Sequence, residues 1–323
     1  MSDQQPPDET PVQDSRWDAS AKKLLDSHGY GFQFAVQEFF SREKREGDWW
    51  CAAAEFPVTV RGNVTQIDLV VQYRGYRSRE INAKILIAAE CKRVDPARGC
   101  WLFAQAPYIS DVADADDLFF DAIHEQGHMG LLGGYKKSRP ARSHPGLRMI
   151  YGGMHAYHIG LEMKTGQQGD GSGIPKPINE ATTRALRGAS GLMNHFGDRW
   201  SLGRVVVIPV IFTTAELRTT DVDLSQSDIV SGKVTGDVKT AQVPWLWFSH
   251  NRSNDLRHDL LDVLFKTDSS IMPDVGVWSD PQSFSRSIMV VSAAGLGSIQ
   301  SSRIGDMVAG AWRSERADGR KWE

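Results

Sequence analysis

Disulfide chemistry has little to build on in this sequence. Three cysteines, Cys51, Cys91 and Cys100, form an odd set with no CxxC spacing, which excludes a disulfide-stapled scaffold and a zinc ribbon and suits a reducing, cytosolic compartment. Long apolar runs are also lacking. The longest spans residues 205–212 and contains Pro209, far short of the roughly 20 residues a bilayer-spanning helix needs. No excess of one charge exists either: 37 Lys and Arg against 40 Asp and Glu leave a net charge of −3. A histone-like or ribosomal-like basic protein is thereby excluded, and any nucleic-acid contact must use local patches. Residues 1–18 are rich in Gln, Pro and Asp, without the basic start or apolar centre of an export signal, and are read as a flexible tail.

What is present is a chain of 323 residues, 41% of them hydrophobic, enough for one large or two smaller cores. Residues 31–45 place Phe32, Ala35, Val36, Phe39 and Phe40 at helical spacing. Three β-branched-rich runs follow, at 52–60, 65–73 and 84–92, separated by polar or glycine-containing stretches and read as an antiparallel meander. The pattern loosens over 105–177 into glycine-, histidine- and arginine-rich sequence, expected as an insertion or second lobe. A helix is predicted over 178–196, where Ala181, Ala185, Ala189, Leu192 and Phe196 share a face and Asn179 is a candidate cap. Strands are predicted at 204–213, 243–248 and 287–292, a helix at 255–266, and a tail at 298–323.

In a hairpin of the second and third runs, a loop centred near residue 78 or 79 sets Asp68 opposite roughly Glu90. The two-residue alternation of a strand then sends Glu90 and Lys92 to one face and Cys91 to the other. Two hard carboxylates side by side suit a divalent cation, and Mg²⁺ takes only one or two protein carboxylates while keeping several waters. A lysine beside such a site can orient or deprotonate water, so the expected chemistry is phosphodiester hydrolysis. Glu-x-Lys alone has little weight, because 13 Glu and 13 Lys produce about 0.5 matches by chance. A second copy, Glu162-Met163-Lys164, occurs without a matched acid on a neighbouring strand.

The helix, the Ile67-Asp68 strand, the Glu90-Cys91-Lys92 strand, the helix over 178–196 and the strand over 204–213 together resemble the core of the PD-(D/E)XK, restriction-endonuclease-like nucleases. The segment ECKRVDPARGCWLF and the later VVVIPVIFTTAEL also look like bacterial members of that superfamily. The resemblance covers roughly residues 29–104 and 178–216. It implies an α/β fold with a mixed β-sheet flanked by helices and a long insertion after the third strand. It also implies Asp68 and Glu90 as ligands of Mg²⁺ or Mn²⁺, and Lys92 as the catalytic lysine. The implied partner is nucleic acid, DNA foremost, in restriction, repair or anti-phage defence, with a homodimer supplying two cuts for a duplex or a partner subunit of a defence system. Family members often carry a further acid on the first helix. Here Gln33 stands at that place, with Glu38 five residues on and about 140° round the helix; the sequence leaves open which of the two faces the site, and Glu38 is the candidate metal residue. Glu55, on the first strand, is a further candidate helper or a surface charge.

A competing motif is His124-Glu125-Gln126-Gly127-His128, which matches HExxH, the zinc-peptidase pattern that needs two histidines one helical turn apart. Composition predicts about 0.01 such matches, so a zinc peptidase using His124, Glu125 and His128 stands as an alternative reading, with Zn²⁺ at His124 and His128. Gly127 inside the supposed helix and the glycines at 130, 133 and 134 oppose it. The basic residues Lys136, Lys137, Arg139, Arg142 and Arg148 are candidate phosphate-backbone contacts or a solvated loop. A non-cleaving protein of the nuclease fold that only binds nucleic acid or a partner is the third reading.

Overall fold

The computed structural model describes residues 15–42, 49–60, 62–74, 83–95, 99–104, 120–125, 128–131, 157, 159–163, 176–197, 203–251 and 285–301. Within them the chain is mixed α/β, with two mixed sheets and four α-helices. The helices are α1 (Ser15–His28), α2 (Tyr30–Ser41), α3 (Lys176–Gly197) and α4 (Leu296–Ser301). The main sheet runs β1 (Trp49–Val60), β2 (Asn63–Tyr73), β3 (Ala83–Lys92), β8 (Gly203–Thr213), β12 (Ser285–Ser292) and β11 (Trp245–Asn251). The first three strands are an antiparallel meander, β3–β8 and β8–β12 are parallel, and β12–β11 is antiparallel.

Helix α3 covers one face of this sheet and α2 with α4 the other. On the α3 side, Leu86 and Ala88 of β3, Val207 and Ile211 of β8, and Ala181, Ala185, Leu186, Ala189 and Leu192 of the helix form one core. Its small residues allow close approach: a Cβ added at Gly191 would lie 2.5 Å from Val58 Cγ2. On the opposite face Ile85, Ile87 and Ala89 pack with Val36 and Phe40 of α2 and Ile299 of α4. Even- and odd-numbered residues of β3 thus serve different cores, as the pleat requires. Trp247 lies in the second core with Trp245 packed edge-on against it at 6.4 Å, so both belong to layer packing.

The segment expected as a separate lobe enters both sheets. Among its described residues, β5 (Phe120–Glu125) pairs with β8 and with β6 (His128–Leu131), and β7 (Ile159–Met163) pairs with β4 (Cys100–Ala104). Strand β4 also pairs with β9 (Glu216–Thr220), which in turn pairs with β10 (Thr240–Val243) to complete a four-stranded second sheet. Trp101, Phe103 and Leu217 press that sheet into the α3-side core. The helix expected over 255–266 and the basic residues at 136, 137, 139, 142 and 148 lie outside the described residues. Cys51, Cys91 and Cys100 are free thiols. Among the described residues, no helix is long and apolar enough to cross a membrane.

Candidate metal and catalytic centre

The centre grows out of an irregularity shared by two strands. Ala53 and Phe56, three residues apart on β1, both pack against the α3-side core, and so do Ile67 and Val70 on β2. Strict alternation would put residues three apart on opposite faces. The residues that absorb the offset are Glu55 and Asp68, which stand opposite one another between the pairs Ala54↔Leu69 and Phe56↔Ile67. Glu55 takes a left-handed backbone, φ 50°, the one non-glycine residue of positive φ among those described. Such a conformation costs on the order of 1–3 kcal/mol and persists where surrounding contacts enforce it.

Those contacts come from two amides. Gln33 of α2, buried beneath the sheet, donates from Nε2 to Glu55 Oε1 at 2.5 Å and to the Asp68 carbonyl at 3.3 Å. Gln66 donates from Nε2 to Glu55 Oε2 at 2.6 Å. The residue of the first helix that reaches the acids is therefore Gln33. Glu38 is on the solvent side, its side chain 58% exposed and paired with Arg42 at 3.0 Å. The α2 face that enters the protein carries Gln33, Val36 and Phe40, and Glu38 is rotated away from it, so the geometry removes Glu38 from the set of candidate ligands.

Between β2 and β3 the ladder runs from Gln72↔Leu86 to Leu69↔Ala89, and the next step in that register is Asp68 and Glu90. There the backbone pairing stops. The Cys91 N–H, which the ladder no longer satisfies, donates instead to Asp68 Oδ2 at 2.7 Å. Glu90 lies on the α3 side of β3 with Ala88, buried, beside Ile211 of β8. Lys92, two residues on, is half-buried opposite Thr213, and its carbonyl accepts from Thr214 N–H at 3.2 Å, which holds the end of β3 against β8. From α3, Arg184 Nη1 reaches Glu90 Oε1 at 3.3 Å.

The electrostatics follow from burial. Removal from water raises the Glu90 carboxyl from an ordinary 4.5 to about 7, and the neighbouring Asp68 charge adds to the rise; Arg184 and Lys92 oppose it without cancelling it. Asp68 is also raised, chiefly by burial and further by Glu55, while the Cys91 N–H, Arg184 and Lys92 pull it down. Glu90, the more deeply buried of the pair, carries the repulsion. Burial and the two acids push the Cys91 thiol well above its ordinary range, so it is an inert packing group.

This donor set fits a hard divalent cation: two carboxylates crowded on neighbouring strands, more negative charge than the local cations offset, and oxygen as the only donor atom. Among the described residues no group of three or more His, Cys, Asp or Glu has metal-holding geometry, so a cation here would rest on Asp68 and Glu90 and keep its remaining positions for water. Glu55, with both oxygens accepting from amides, is a positioned neighbour.

The HEQGH segment has a different scaffold from the one its chemistry needs. His124 and Glu125 end β5, His128 begins β6, and Glu125 pairs with His128 across a two-residue connection. HExxH zinc chemistry requires one helical turn between the histidines, and residues 120–125, expected as part of that helix, form a strand of the main sheet. Glu162 of the second Glu-x-Lys is buried on β7 opposite Trp101, remote in topology from β2 and β3. Arg74 lies with its guanidinium carbon 3.8 Å from the Trp50 ring centre, a stacked rather than purely solvated charge. Reading the chain alone missed Arg184 and left open whether Gln33 or Glu38 turns inward. A boundary position beside the Ala181–Ala185 stripe was the available signal for Arg184.

Compared with family models, with curated proteins and with solved structures, the chain matches none.

Proposed function

We propose that the chain is a nuclease of the PD-(D/E)XK type that hydrolyses phosphodiester bonds of nucleic acid, DNA foremost, with Mg²⁺ or Mn²⁺. The observation that carries this reading is the crowding of Asp68 and Glu90 at the point where two β-strands part, with Lys92 on the same face two residues further. Asp68 and Glu90 would hold the cation, which supplies charge stabilisation at a phosphoryl oxygen and a more acidic bound water. Lys92 lies within electrostatic range of both carboxylates and would orient the attacking water and follow the charge that builds on the phosphate. Gln33 and Gln66 hold Glu55, which stands opposite Asp68 on β2, and Gln33 also donates to the Asp68 carbonyl. Restriction, repair or anti-phage defence is the setting that the motif resemblance favours.

The test is cleavage of plasmid and single-stranded substrates with Mg²⁺ or Mn²⁺. Asp68→Asn, Glu90→Gln and Lys92→Met are each expected to lose roughly 10²-fold or more in rate, the scale of removing one preorganised charge from a reacting centre. All three cutting like wild type would refute the assignment. Binding of nucleic acid without turnover under every divalent metal would support the non-cleaving reading in its place.

A further inference from the structure

Helix α3 brings one polar stripe to the rim of the acid cluster. Lys176, Asn179, Glu180, Thr183, Arg184 and Arg187 line one open groove, and their spacing of three and four residues is that of a single helix face. The stripe is about 16 Å long, roughly five nucleotide steps along a duplex. Its acid, Glu180, faces Lys176 at 3.8 Å, and Arg184 is the cation of the stripe that meets the acid cluster. At that inner end stands an asymmetric ion pair. The Arg184 side chain is 69% exposed while that of Glu90 is 8% exposed, and a single nitrogen makes the contact, at 3.3 Å. A guanidinium offers five donors in a planar fork suited to two-point binding of phosphate, and here most of that fork faces the groove.

We propose that Arg184 is a two-position cation: it neutralises Glu90 in the free protein and moves to a phosphate oxygen of a nucleic-acid strand lying along α3 once a divalent cation takes over Glu90. This rests on the nuclease reading above and adds to it the path of the strand and the coupling of metal to strand binding. The physical basis is competition. Arg184 and a metal ion neutralise the same carboxylate, so each weakens the other there. A metal that displaces Arg184 leaves a mostly solvated guanidinium next to the place where the phosphate must come. Exposed ion pairs are worth little, so the exchange needs only a rotamer change of one long side chain.

The experiment uses the full chain carrying Lys92→Met, so that the strand is held and not cut, with labelled duplex and single-stranded oligonucleotides followed by fluorescence anisotropy in EDTA and in Mg²⁺. Mg²⁺ is expected to tighten binding. Adding Arg184→Gln is expected to remove most of that gain, to lower the slope of log K against log salt by about 0.7–0.9 in Mg²⁺, one phosphate contact, and to leave binding in EDTA within about twofold. In parallel, calorimetric titration with Mn²⁺ alone is expected to show two- to fivefold tighter metal binding in Arg184→Gln than in its parent, the range an exposed ion pair supports. Equal loss of strand binding with and without Mg²⁺, an unaltered slope, or Mn²⁺ affinity that is unchanged or weaker would each overturn the proposal while leaving the nuclease reading in place. A parent protein that binds neither Mn²⁺ nor either oligonucleotide would refute both.

Discussion

Replacing Glu90 by Gln should make the metal-free protein more stable at neutral and alkaline pH, and the size of that gain measures how far the site is built at the expense of the fold. Glu90 titrates at about 7 in the folded chain against an ordinary 4.5. Between those values the native state holds more protons than the unfolded one, so stability falls as pH rises, and the full cost is present above pH 7. A difference of about 2.5 units corresponds to about 3 kcal/mol. Arg184, whose side chain is largely exposed, already holds the folded-state value down, so the difference contains its contribution. A gain of about 3 kcal/mol is expected at pH 8, falling to nothing near pH 4.5. Urea denaturation in EDTA from pH 4.5 to 8.5, comparing Glu90→Gln with wild type, isolates this group from every other titration. A cation binding the native site should close most of this gap, since a ligand at a hundredfold its dissociation constant contributes about 2.7 kcal/mol to wild type and little to the variant. Should Glu90→Gln gain nothing on wild type between pH 4.5 and 8.5, or respond to Mg²⁺ as wild type does, the electrostatic account of the centre is wrong.

Other residues give sharper contrasts. Glu38→Ala should leave both cleavage and stability within about 0.5 kcal/mol of wild type, because its pair with Arg42 is exposed; Glu55→Gln should lower cleavage, and a reversed ranking in a plasmid assay would restore Glu38 to the site. Gln33→Leu strips a buried donor from Glu55 and from the Asp68 carbonyl and should cost about 1–3 kcal/mol in a denaturant melt. Gly191→Ala forces a methyl into Val58 and should cost about 1–3 kcal/mol by overpacking; an unchanged midpoint would mean that α3 shifts freely on β1.

Much of the main sheet was legible in the chain. The runs at 52–60, 65–73, 84–92 and 204–213 lie within β1, β2, β3 and β8, because a strand buried on both faces writes its β-branched residues consecutively. The helix over 178–196 lies within α3, and its alanine stripe does face the sheet. The second sheet was not legible. Its strands β4, β7, β9 and β10 are four or five residues long and come from four separate places in the chain, too short for a periodic signal. The helix expected before the HEQGH motif failed for a related reason: the apolar residues at 120–123 suit a helix face or a strand equally, and β8 offered an edge for them.

At the candidate centre, residue types and hairpin register were enough to pair Asp68 with Glu90 and to set Lys92 on the same face, because side-chain alternation in a strand is a local property. The roles of Gln33, Glu38 and Arg184 were decided only in three dimensions. Which side of α2 turns inward depends on how that helix sits against β1 and β2, and Arg184 meets Glu90 across 94 residues of chain. The raised Glu90 carboxyl has the same origin: no single stretch of sequence contains the burial by α3 and the charge of Asp68 that together set it.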